Sequence, residues 1–303
     1  MALLSALATV IVPVLIVAGV GAILGRRFRI DPGVMSKISL HALTPALAAQ
    51  TVLRTEVSAR TGAGIVAAFV LLCLLGALLG RLVTLGSPPA TRRAGMVSVA
   101  IGNNGNMGLP ISLFALGQSG FDLAVVIYLT SVVLTFFVGP LILGSHLGPR
   151  SALAGMARLP VLWAMGVALT VRVVGIDVPL GITRGIDLLA AATLPMILLS
   201  LGIQLGASGR ARLTRPVVAA TLARTVLMPL LSIPVGLVLG LHGLPLQSLV
   251  LALAMPTAVN ALLLTHEYRG DTITVSHVVT ATTVLAFGSA AVVTALLPAI
   301  GRL

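Results

Sequence analysis

An all-α integral membrane protein with ten transmembrane helices is the fold class this sequence predicts, and three observations carry that prediction. The 303 residues are 58% hydrophobic and only 9% charged, whereas a soluble domain has roughly 45–50% apolar and 25% charged residues. The charges are clumped, so that residues 1–25, 61–80, 94–121, 123–149, 188–209, 225–266 and 272–301 contain no Asp, Glu, Lys or Arg. Each run reaches the ~20 residues that a bilayer-crossing helix needs. Ten spans of about 22 residues would use roughly 220 residues, which leaves short loops and no room for a soluble domain.

The elements follow in order. Residues 3–24 form span one; the stretch lacks a basic leader and exceeds the h-region of a signal peptide. Span two, 35–54, is weaker because it holds Lys37 and Pro45. Span three, 62–84, contains Cys73, the only cysteine, which excludes an internal disulfide and reads as a core thiol. Spans four to seven are placed at 95–117, 122–144, 157–175 and 180–206. The long run from 225 to 266 is split by His242-Gly243-Leu244-Pro245, giving span eight at 217–240 and span nine at 247–267. Span ten is 273–298.

A net charge of +12 would indicate nucleic acid in a soluble protein. Here the arginines lie in loops between spans, where the positive-inside rule accounts for them without a nucleic-acid partner. With the N-terminus outside, the inner loops gather 13 of the 19 Lys and Arg residues, Arg92, Arg93, Arg150 and Arg210 among them. The expectation is a multi-pass protein of the inner (plasma) membrane with both termini non-cytoplasmic.

An internal duplication appears at a shift of about 150. Leu43-Thr44-Pro45 faces Thr193-Leu194-Pro195, and the polar interruption at 103–110 faces the one at 253–260. Five spans per half is an odd number, so the halves, 1–150 and 151–303, must cross in opposite senses, as inverted-repeat transporters do.

Spans four and nine are the informative ones. In Gly102-Asn103-Asn104-Gly105-Asn106-Met107-Gly108-Leu109-Pro110, three Gly, three Asn and a Pro cannot sustain a lipid-facing helix. Met255-Pro256-Thr257-Ala258-Val259-Asn260 repeats the interruption at a similar depth. Unwound backbone at mid-membrane is tolerated only where it lines a cavity or is enclosed by protein. Each break exposes a half-helix N-terminus, which attracts anions, and a half-helix C-terminus, whose carbonyls attract cations. Asn103, Asn104, Asn106, Thr257 and Asn260 are therefore the candidate substrate-binding residues, with Gly105, Gly108, Pro110 and Pro256 shaping the breaks. The plainer alternative is that small residues here merely let helices pack closely.

Asn103-x-x-x-x-Gly108-x-Pro110 and Pro256-x-x-x-Asn260 followed by Glu267-Tyr268 resemble the auxin efflux carrier family, which includes bacterial organic-acid carriers and is related to the bile acid sodium symporters. Ile11-Val12-Pro13, Gly25-Arg26-Arg27, Leu43-Thr44-Pro45 and Arg224-x-x-x-x-Pro229 are similar too. The resemblance implies two inverted five-helix repeats with crossing helices four and nine. It also implies a scaffold of spans 1, 2, 6 and 7 that forms a homodimer, a mobile transport domain of spans 3–5 and 8–10, and crossover amides at Asn103 and Asn260.

Arg224, about seven residues into span eight, has two readings: snorkelling to the membrane edge, or a counter-charge beside the anion path. His41 and His277 lie near helix ends and read as interfacial. Glu267, Arg269 and Asp271 read as a solvated cluster. With no acid deep in a span, no nucleotide loop and no paired metal ligands, neither a catalytic residue nor a metal or cofactor is expected; sodium or proton coupling stays open. The sequence thus predicts a secondary transporter of a small organic anion, of carboxylate class, working by elevator-type alternating access. A channel or sensor of the same fold is the runner-up, ahead of a membrane-embedded enzyme.

Overall fold

A computed structural model of the chain describes residues 7–144, 155–207 and 211–303. The repeat boundary at 150/151, Arg150 and Arg210 lie outside them. The described residues are helical throughout, with no strand among them and a single antiparallel bridge between Gly102 and Thr257.

In chain order the helices are α1 (Leu7–Phe28), α2 (32–54), α3 (Ala59–Val83), α4a (Pro89–Ala100) and α4b, which begins at Asn104. They continue with α5 (118–143), α6 (Pro160–Val174), α7 (Leu180–Ala207), α8 (Arg215–Val238), α9a (Gly243–Leu253), α9b (Val259–Glu267) and α10 (Thr272–Ile300). The helix from Asn104 to Leu143 kinks at Gly117, whose φ of 68° and ψ of −165° suit only glycine; this separates α4b from α5. Among the described residues, six helices are long and apolar enough to cross a membrane, and α6 and α9a are shorter apolar ones.

Among the described residues, four helices carry a widened, π-type turn: Leu7–Ile11, Ser39–Leu43, Asn104–Gly108 and Ala223–Leu227. Each ends two residues before a proline, namely Pro13, Pro45, Pro110 and Pro229. The cause is local: a proline has no N–H to donate and its ring presses on the preceding turn, so the helix widens there instead of breaking.

Packing divides the helices into two groups. α1 lies along α7 because Ala18, Gly21, Ala22 and Gly25 face Leu199, Gly202, Ile203 and Gly206, where a side chain on any of these glycines would meet the opposite backbone or side chain. This is the small-residue contact that brings membrane helices close. α2 packs on α6 and α7. At one end of this group Arg172 donates to Val52 O and Thr55 O, capping α2, while Asp187 accepts from Gln50 and pairs with Arg54 at 2.6 Å. α3, α4a, α5, α8, α9a, α9b and α10 pack mainly among themselves. The core runs from Val14 and Leu201 of the first group to Leu72, Ile127, Met228, Leu249 and Val278 of the second.

Candidate functional site

α4a ends where Ile101 turns extended, at φ −98° and ψ 102°, and α9a ends before Met255, which precedes a proline and is thereby pushed toward extended backbone. The two breaks meet. Asn103 N donates to Pro256 O at 2.7 Å, and Ala258 N donates to Ile101 O at 2.9 Å. Thr257 adds two bonds: its hydroxyl donates to Ser98 O at 2.7 Å, and its N–H donates to the Thr282 hydroxyl of α10. Backbone groups freed by the interruptions thus satisfy one another, as a water-poor interior requires.

On one side of the crossing the two half-helix N-termini face a cavity of about 600 Å³, a size typical of small-ligand sites. Gly102, Asn103, Gly105 and Asn106 line it from α4b and its entry, and Ala258, Val259 and Asn260 from α9b. Asn103 uses its side-chain oxygen to cap α4b, accepting from Asn106 N at 3.2 Å. A side chain at Gly105 would strike the Tyr128 ring; that tyrosine's hydroxyl shares a 2.8 Å hydrogen bond with Thr44 of α2.

The far wall was only partly visible in the sequence. Tyr128, Ser131 and Thr135 come from α5, and Lys37, Ser39 and His41 from α2. His41 is thus a cavity residue, its Nδ1 3.1 Å from Lys37 O. The signal was available: Lys37 and His41 are four apart and so share a helix face. The cluster reading of Glu267 and Asp271 needs correction as well. Glu267 lines the cavity, whereas Asp271 caps α10 through Thr274 N and accepts from the Thr91 hydroxyl of α4a at 2.7 Å. Burial pushes the Asp271 carboxyl up, but bonds from Thr274 and Thr91 and the nearby His277 outweigh this and hold it below the usual carboxylate range.

Not every candidate reaches the cavity. Asn104 and Thr257 are buried behind it; the Asn104 amide donates to Gly102 O at 3.4 Å, and its side-chain oxygen has no partner among the described residues. Gly108 packs near Met255. Pro110 stands just after the widened turn, and Pro256 lies in the non-helical segment between α9a and α9b.

Arg224 departs furthest from expectation. It is 1% exposed, which overturns snorkelling, and it is not among the residues lining the cavity. Its widened turn points the guanidinium at the other side of the crossing, where Nε donates to Met255 O at 2.8 Å and Nη1 to Val99 O at 3.0 Å. Val99 O belongs to the last turn of α4a, and Met255 O lies just past the C-terminal end of α9a. One side chain therefore sits on the negative poles of both half-helices.

The chain is similar to known membrane transport proteins. The model of the family described as membrane transport protein matches residues 147–294. An uncharacterized transporter of Methanocaldococcus jannaschii is 26% identical over 184 residues, which are 58% of this chain and 59% of that protein, so the match spans less than two thirds of its length. An uncharacterized transporter of Methanothermobacter thermautotrophicus is 28% identical over 277 residues, 86% of this chain and 87% of that protein. The resemblance read from the crossover motifs therefore holds, and it is to the auxin efflux carrier-like family of membrane transport proteins.

Proposed function

We propose that this protein is a secondary active transporter of a small organic anion, of carboxylate class. The observation that carries the reading is the convergence of two half-helix N-termini, with Asn103, Asn106 and Asn260, on one cavity. Two positive helix poles favour an anion, and neutral amides offer it hydrogen bonds without the cost of a buried charge. Lys37 on α2 adds a cation to a lining that also carries the carboxylates of Asp31 and Glu267. The scarcity of aromatic residues, 3% of the chain, disfavours a substrate that needs stacking.

The proposal includes ten spans in two inverted repeats. Contact of α1 with α7 is matched by contact of α6 with α2, as expected if α1 corresponds to α6 and α2 to α7. It also includes an elevator in which α3–α5 and α8–α10 move against α1, α2, α6 and α7, with those four helices pairing in a homodimer. In the inner membrane both termini would be outside. A cysteine introduced at Ser87 would then resist impermeant thiol reagents added to intact cells, while one at Ser58 would react.

The test is uptake into proteoliposomes. Short mono- and dicarboxylates are screened by thermal shift, with and without sodium, and ligands that stabilise are then assayed for counterflow. Accumulation of labelled carboxylate against its gradient supports the proposal. Passive equilibration alone would favour a channel, and binding without flux a sensor.

A further inference from the structure

We infer that Arg224 is a built-in substitute for a metal cation at the crossing, so that the two half-helix C-termini form a latent monovalent-cation site which the chain fills with its own charge. The inference goes beyond the transport reading and does not need the substrate.

Three observations support it. The carbonyl of Val99, in the last turn of α4a, and that of Met255, just past the end of α9a, converge on one group, Arg224, at 3.0 and 2.8 Å. Carbonyls at the ends of broken helices, with their partial negative charge, are the kind of oxygen set that coordinates a small hard cation in transporters. A guanidinium there supplies the same positive charge permanently.

Second, the site is shaped around that group. Any side chain at Gly102 would overlap Arg224 Nη2, so the glycine makes room for the third corner of the fork. Third, Nη2 has no hydrogen-bond partner among the described residues although Arg224 is 1% exposed. A buried fork with an idle corner is poorly explained by hydrogen bonding alone; it fits a position where the charge itself is required. Thr257 supports the same place, since its hydroxyl ties Ser98 O and so holds the end of α4a against α9a. Gly102 also lines the anion cavity. The guanidinium consequently lies behind the Gly102 part of the cavity wall, outside the cavity itself.

The test compares Arg224→Ser, Arg224→Lys and Arg224→Met in detergent, with sodium chloride titrated against choline chloride at constant ionic strength. Serine leaves a void with an added oxygen ligand, and choline is too large for it. Arg224→Ser should unfold at lower temperature than the parent in choline and recover saturably with sodium, by at least roughly 5 °C. Arg224→Met fills the void without charge and should show no saturable sodium response. Arg224→Lys should stay near the parent in choline.

An Arg224→Ser protein whose unfolding is indifferent to sodium and lithium would overturn the inference. So would an Arg224→Ser protein that cannot be recovered folded in either salt while Arg224→Lys is folded, because a free cation would then not replace the side chain. If Arg224→Lys is as damaged in choline as Arg224→Met, geometry and not charge is what the site needs, and the inference again fails. All of these readouts concern the protein without substrate, so they stand or fall apart from the anion proposal.

Discussion

The two sides of the crossing are built from the same pair of broken helices and come out as opposites. Toward the cavity, α4b and α9b present their N-termini, neutral amides and open space. Away from it, the ends of α4a and α9a present the carbonyls of Val99 and Met255, which accept from a buried arginine. The polarity of the helix accounts for the contrast. A break creates one positive and one negative pole, and antiparallel helices that break at the same depth put like poles together. The pair of positive poles is left for a ligand, and the pair of negative poles is neutralised from within.

If the closed side is tightly filled, the largest expected effect of a substitution lies there. Gly102→Val would force bulk into the position of Arg224 Nη2. It should lower stability by about 3 kcal/mol or more, at the upper end of overpacking, read as a fall in melting temperature in detergent. Gly105→Ala makes the matching change on the open side, where the new methyl meets the Tyr128 ring at the cavity wall. It should cost clearly less, because a ring edge beside space can move. Equal costs would mean that the cavity wall is as rigid as the crossing, and the contrast would fail.

The next effect concerns affinity. Losing a hydrogen bond to a charged group costs about 1.5–3 kcal/mol, or roughly 10- to 150-fold in binding. Asn260→Ala should weaken binding of a stabilising carboxylate by that factor and leave thermal stability nearly unchanged. Asn103→Ala should do the same and also lose about 1 kcal/mol of stability, because Asn103 caps α4b. Asn103→Asp separates the two roles: it keeps an acceptor for Asn106 N but points negative charge at the anion. A folded Asn103→Asp protein that binds like the parent would show that Asn103 serves the helix alone.

The crossing was legible from the sequence because its cause is local. Gly102, Asn103, Asn104, Gly105, Asn106 and Pro110 cannot continue an apolar helix, and Met255-Pro256-Thr257 repeats the problem in the second half. Arg224 was legible as an anomaly, since a charge inside a span demands a partner. Its partner was not, because the acceptors are backbone carbonyls 31 and 125 residues away, and carbonyls leave no mark in a sequence. The place of His41 on the cavity was missed for another reason. Depth along a helix places a residue at the membrane edge, but only the packing of α2 opposite α9b reveals that this edge borders the cavity.

The smallest expected effect asks whether the closed side is held by Arg224 alone or also from the far end of α4a, where Thr91 donates to Asp271 at the start of α10. Asp271→Asn keeps an oxygen to accept from Thr274 N but removes the charge and puts an amide donor where Oδ2 accepts from the Thr91 and Thr274 hydroxyls, which can rotate to accept from it. The penalty at neutral pH should therefore be smaller than the roughly 1 kcal/mol of a lost cap. Its pH dependence is the diagnostic part. The folded protein holds this carboxyl below its ordinary range, so the charged form stabilises the fold at any pH above the unfolded value of about 3.9. That contribution is lost as pH falls from there through the folded value. In thermal melts from pH 7 to pH 3, the parent should lie slightly above Asp271→Asn at neutral pH, and the gap should close below about pH 4. A gap that stays constant with pH would mean that Asp271 acts by hydrogen-bond geometry rather than charge. A gap larger than that of Gly105→Ala would mean that the crossing depends on its periphery, and that α4a is clamped at both ends instead of being pinned at its break.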